Sequence, residues 1–161
     1  LIADKRYNCP GCKFRIEQGD VAIFAEPNDR TRLSIKRIIG LPGDRVTIDG
    51  MTVQVNGETL SAASSPNTAE TSDYLLITEK GRDGREWTVQ WNRARLPAAT
   101  LDLTVPPGQV FVLGDNRSNS FDSRQLGTIP MQDVVGRARQ VWFSYEPEGG
   151  IRWGRIGRLL Q

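Results

Sequence analysis

Lys36 stands in the strand-like run Ser34-Ile-Lys-Arg-Ile-Ile39. An amine held among apolar neighbours is disfavoured in its charged form, and a nearby cation such as Arg37 acts in the same direction. A neutral lysine can take a proton from a hydroxyl and so activate it as a nucleophile. The sequence contains no histidine, which makes Lys36 the natural candidate for acid–base work. The second feature is Gly114-Asp-Asn-Arg-Ser-Asn-Ser-Phe-Asp-Ser-Arg-Gln-Leu-Gly127, a dense polar stretch able to hold such an amine in place. Each has a plainer alternative. Lys36 can be an edge-strand or snorkelling lysine, and the polar stretch can be an Asx-rich loop that satisfies its own backbone. Gly40, Pro42 and Gly43 make a tight turn in either case, and Asp44 can close it.

The elements that must position these residues are mostly β. Residues two apart in a strand share a face, so Lys36 lies with Ser34 and Ile38, and Arg37 with Ile35 and Ile39. Residues 21–24 predict a strand ended by Pro27-Asn28-Asp29, and 34–39 a second stopped by Gly40 and Pro42-Gly43. Residues 45–49 and 52–55 alternate on either side of Asp49-Gly50, a strong hairpin signal, and Asn56-Gly57 follows. Residues 58–73, rich in Ser, Thr, Ala and Asn, predict an exposed loop. Residues 74–78 and 87–91 predict another hairpin around 80–84, while 93–104 is ambiguous. Pro106-Pro107-Gly108 forces a turn before a strand at 110–113, and 134–145 predicts a long strand. There is no strong amphipathic helix and no internal repeat. A mainly β fold of antiparallel sheets, barrel-like or a sandwich, follows. Residues 1–49 and 105–161 predict one core, and 50–104 an inserted, hairpin-rich β subdomain.

At 161 residues the chain is long enough for a real hydrophobic core. With 21 basic and 19 acidic residues the net charge is +2, which argues against a nucleic-acid binder driven by bulk charge. No apolar run approaches the ~20 residues needed to span a bilayer, and no signal peptide is visible; a soluble or membrane-peripheral piece is expected. Cys9 and Cys12 are the only cysteines, as Cys-Pro-Gly-Cys. Such a pair can be redox-active, a small disulfide, or half of a zinc site. Without histidine or a second cysteine pair, zinc cannot be completed in the usual way. The βαβ context of a thioredoxin-like motif is also missing, so a local turn, disulfide-closed or not, is expected. The final stretch 150–161 mixes Trp153, Ile156, Leu159 and Leu160 with three arginines. It suits either a membrane surface or a docked terminal segment with solvated arginines.

Lys36-Arg-Ile-Ile-Gly-Leu-Pro-Gly-Asp44 and the Gly114–Gly127 stretch resemble, in the same order, two signature segments of bacterial type I signal peptidases. Gly19-Asp-Val-Ala-Ile-Phe24, Val105-Pro-Pro-Gly-Gln109, Ile129-Pro130, Val135-Gly-Arg-Ala138 and Trp142 also look like parts of that family. The resemblance covers most of the chain outside 50–104. It implies a coiled, barrel-like signal-peptidase fold and a serine endopeptidase with a Ser/Lys dyad. Such enzymes remove signal peptides from exported preproteins at the outer face of the bacterial cytoplasmic membrane. Lys36 would be the general base and Ser120 would orient its amine by a hydrogen bond. Asp122 would brace the site through Arg124 or Arg37. Gly114, Asp115, Asn116 and Arg117 would shape the loop. Ser118 stands where many relatives carry Asp. The partners implied are signal peptides and the membrane surface, without nucleic acid, metal or organic cofactor.

One departure is large. The family's nucleophilic serine lies in a Ser-x-Met-x-Pro-type segment upstream of the lysine, and this sequence has none. Leu1-Ile-Ala-Asp-Lys5 resembles the stretch that follows that serine. A truncated, inactive fragment is therefore expected, lacking the nucleophile, its share of the oxyanion hole and the membrane anchor. The alternatives are a non-catalytic relative that binds extended peptides and a conjugation- or pilus-type maturation peptidase. A self-cleaving repressor-type domain shares a dyad but matches the polar loop poorly.

Overall fold

The computed structural model describes residues 2–5, 11–12, 15–64, 73–95, 100–141, 145–146, 150–157 and 159. The strands are β1 (Ile2–Asp4), β2 (Val21–Glu26), β3 (Asp29–Gly40), β4 (Arg45–Asp49), β5 (Thr52–Val55), β6 (Glu58–Thr59) and β7 (Ser61–Ser64). They continue with β8 (Tyr74–Lys80), β9 (Glu86–Asn92), β10 (Thr100–Thr104), β11 (Gln109–Leu113), β12 (Ile129–Pro130) and β13 (Val134–Gln140). The α-helix α1 (Ser123–Leu126) is a single turn of four residues. The protein is mainly β, and its strand pairs are antiparallel.

A six-stranded sheet has the order β1-β13-β2-β3-β11-β12, and a four-stranded sheet the order β10-β4-β5-β6. A three-stranded sheet is ordered β7-β8-β9. The hairpins form where turn chemistry allows. Between β5 and β6, Asn56 and Gly57 take φ of 55° and 83°, the paired left-handed conformation that suits the right-handed strand twist. Two expectations need correcting. The segment 58–73 is not all loop, because β6 and β7 fall within it; 65–72 lie outside the described residues. The strand expected over 134–145 ends at Gln140, and 142–144 lie outside the described residues. The expected boundary at residue 50 falls in the tight turn between β4 and β5, which are paired strands of one sheet.

β3 carries the change of face that organises the core. Ile38 packs into a cluster with Ala22, Phe24, Val110, Val112 and Ile129. Ile39, one residue on, packs into the other cluster with Val46, Trp87, Val89, Trp91, Phe111 and Leu113. Side chains alternate across a strand, so two adjacent isoleucines seal two cores. The second core spans 50–104 and the rest of the chain alike.

Candidate active site

Lys36 pairs with Ala22 across β2–β3 and lies on the Ala22, Phe24 and Ile38 face. It is half-buried rather than enclosed, and among the described residues no carboxylate is paired with it. On its other side β3 pairs with β11, with Val112 opposite Ile38 and Leu113 opposite Arg37. Carried one step past that last pair, the register sets Gly114 opposite Lys36, on the same face. Side chains directly opposite one another stand about 5 Å apart at Cβ. A Cβ on Gly114 would lie 2.1 Å from Ser120 Oγ and 2.5 Å from Ser120 Cβ. Ser120 therefore occupies the space that the glycine leaves just past the end of β11. Its hydroxyl is buried and makes no hydrogen bond, to Lys36 or to any other group.

Asp122 anchors the loop. It is fully buried. It accepts hydrogen bonds from the Gly114 N–H at 2.9 Å and from Arg124 Nε and Nη2 at 2.8 and 2.9 Å. It also caps α1 in a reciprocal box with Gln125. Burial pushes its carboxyl up, but Arg124 and the Gly114 N–H outweigh that and hold it below the ordinary 3.8. Ser120 is close enough to assist weakly, although it reaches no hydrogen-bond geometry.

Arg37 goes elsewhere. Its side chain, 6% exposed, forks onto both oxygens of Asp115 at 2.8 Å and donates to the Gly19 carbonyl at 2.7 Å. The guanidinium sits 5.2 Å from the centroid of the Trp87 ring, a cation–π distance. Of the two cations offered for Asp122, Arg124 takes it and Arg37 takes Asp115. Three other serines are committed. Ser34 Oγ donates to Glu26 at 2.5 Å. Ser123 Oγ accepts from the Val112 N–H, and Ser118 Oγ from the Asn92 N–H. Asp44 closes its turn by accepting from the Leu41 N–H at 2.8 Å.

Glu79 went unnoticed at the level of sequence. It is 1% exposed and paired with the equally buried Arg117 of the polar loop. The signal was present: Glu79 shares the inward phase of Leu75 and Ile77 on β8, where a carboxylate needs a partner. Among the described residues no group of three or more acidic or cysteine side chains could hold a metal ion. No helix of the described residues is long and apolar enough to cross a membrane. Cys12 is disulfide-bonded, and Cys9 lies outside the described residues. The final segment docks on β13 through Gly157 N–H to Val141 O and Gln140 Nε2 to Gly157 O, both 2.8 Å. Trp153 and Leu159 remain 73% exposed.

The chain has relatives among known proteins. The model for the family "Signal peptidase, peptidase S26" matches residues 2–143. The chain belongs to that family. It is 34% identical over 139 residues to the signal peptidase I of Rickettsia typhi and 32% to that of Rickettsia canadensis. Each match covers 80% of this chain and 52% of the relative, so the chain spans about half the length of these curated relatives. The crystal structure of a signal peptidase I from Enterococcus faecalis superposes with a TM-score of 0.50 at 32% identity. That match covers 76% of this chain and 95% of the other.

Proposed function

We propose that these residues carry the general-base side of a Ser/Lys endopeptidase that removes signal peptides from exported preproteins. One arrangement supports this above all: β11 pairs with β3 up to Leu113 opposite Arg37, the neighbour of Lys36, and Ser120 packs on Gly114, the residue that follows β11. Lys36 takes the proton of a serine hydroxyl as that oxygen attacks the carbonyl carbon after a small residue. The lysine then passes the proton to the leaving amine, which releases the new amino terminus and leaves an acyl-enzyme. Lys36 next takes a proton from water, the resulting hydroxide attacks the ester, and the serine oxygen is reprotonated as it leaves. The nucleophile is a serine from the Ser-x-Met-x-Pro-type segment, which these 161 residues do not contain. By themselves these residues supply the base and not that segment.

The edge of β3 favours an extended substrate. β11 covers only Arg37, Ile38 and Gly40, so residues 33–36 have β2 on one side and no paired strand on the other among the described residues. A peptide added there gains backbone hydrogen bonds without a demand on sequence. Ile35, 41% exposed, can wall a shallow pocket for a small side chain. The same function places the protein at the outer face of the bacterial cytoplasmic membrane. There, exposed Trp153 and Leu159, with Arg152 nearby, suit a headgroup layer.

The test joins the family's serine segment to this chain and follows preprotein cleavage. Lys36→Ala should reduce the rate at least ~10²-fold with little change in thermal unfolding. Ser120→Ala should cost less. Undiminished processing by Lys36→Ala would remove the lysine from the base role, and an unchanged rate for Ser120→Ala would remove the serine from beside it.

A further inference from the structure

Strand β8 belongs to the segment 50–104, which carries none of the residues assigned to the chemistry. Yet its Glu79 reaches the polar loop through the core. Glu79 Oε2 accepts from Trp87 Nε1 at 2.8 Å and pairs with Arg117. Glu79 Oε1 and Arg117 Nε and Nη1 are buried without hydrogen-bond partners, so this contact alone holds the two charges together. Trp87 lies under the Arg37 guanidinium, and Arg37 grips Asp115, two residues before Arg117. β9 holds the same stretch by its backbone. The Gln90 N–H donates to Asp115 O, and the Arg117 N–H to Gln90 O, both at 2.8 Å. The Arg117 carbonyl accepts from Arg124, the partner of Asp122. Any displacement of Arg117 is thus passed to both sides of Ser120.

We infer that Glu79 is a positioning residue for the proteolytic site: through Arg117 and Trp87 it fixes where the Ser120 loop stands against Lys36. The inference rests on the function proposed above, and its test separates the two. Two variants of the 161-residue chain serve. Glu79→Gln keeps the shape and the bond to Trp87 but removes the charge facing Arg117. Glu79→Met combined with Arg117→Met replaces the buried pair by apolar side chains, an exchange that cores accept with little loss of stability, and it serves if the first variant fails to fold.

Amide hydrogen exchange is the first measurement. Exchange over 114–122 should rise at least tenfold, while Ala22 and Ile38 in the six-stranded sheet stay at wild-type rates. Unchanged exchange in the loop overturns the inference whatever the activity, and a uniform rise across the sheet makes Glu79 merely structural and overturns it as well. In the serine-bearing chain, kcat of the double variant should fall roughly 10–100-fold at nearly constant KM and Tm, the penalty expected of a displaced reacting group. A double variant with wild-type kcat refutes it. Should Lys36→Ala retain cleavage, the base role of Lys36 falls, and the exchange measurement still decides whether Glu79 positions the loop.

Discussion

Gly114→Ala tests the packing on which the site depends. The added Cβ would stand 2.1 Å from Ser120 Oγ, 2.5 Å from Ser120 Cβ and 3.7 Å from Asp122 Oδ2. Contact at that range is repulsive, so Ser120 must withdraw by roughly 1 Å or more. It cannot withdraw freely, because Asp122 two residues on is held by Arg124 and by the Gly114 N–H itself. Overpacking of this kind costs about 1–3 kcal/mol. For a chain of this size that is a fall in Tm of about 2–12 °C, measurable by scanning calorimetry. Cleavage by the serine-bearing chain should fall about 10²-fold, since an ångström of misplacement has that effect. Gly154→Ala is the control, with nothing within 4 Å of its added Cβ, and should stay within about 0.5 kcal/mol. Ser120→Gly added to Gly114→Ala removes both clashing atoms and should restore Tm without restoring activity. If Gly114→Ala alone keeps wild-type Tm and rate, Ser120 does not fill the glycine's side-chain space and the arrangement beside Lys36 is wrong.

Two further outcomes follow from the same region and from the cysteines. The Asp122 carboxyl is held below 3.8 in the folded protein, so its stabilising contribution is complete above that value and is lost as pH falls through the folded one. Asp122→Asn should therefore cost about 1.5–3 kcal/mol at neutral pH, with the gap from wild type closing in unfolding curves taken below pH 3.8; an equal gap at every pH would refute the charge assignment. Thiol titration of the unfolded, unreduced protein should find no free thiol, because Cys12 is disulfide-bonded and the sequence has only one other cysteine; titration of two thiols would contradict the bond.

Local signals were legible without a structure wherever neighbours in sequence are neighbours in space. Alternation located β4 and β5, and Asn56-Gly57 marked a turn because few other residues tolerate two left-handed φ values in succession. The polar composition of 58–73 misled, since β6 and β7 are short and their composition does not distinguish them from loop. The two signature segments pointed to the family, because each is a contiguous string of residues.

The sequence alone determined the β class, the hairpin around Gly50 and a turn at Asn56-Gly57. Tertiary structure alone decided that Asp122 takes Arg124 while Arg37 takes Asp115, that Ser120 stands in the empty side of Gly114, and that Glu79 holds Arg117. These choices join residues up to 78 positions apart. At such separations a charge has several candidate partners of equal chemistry, and only strand register and close packing select one.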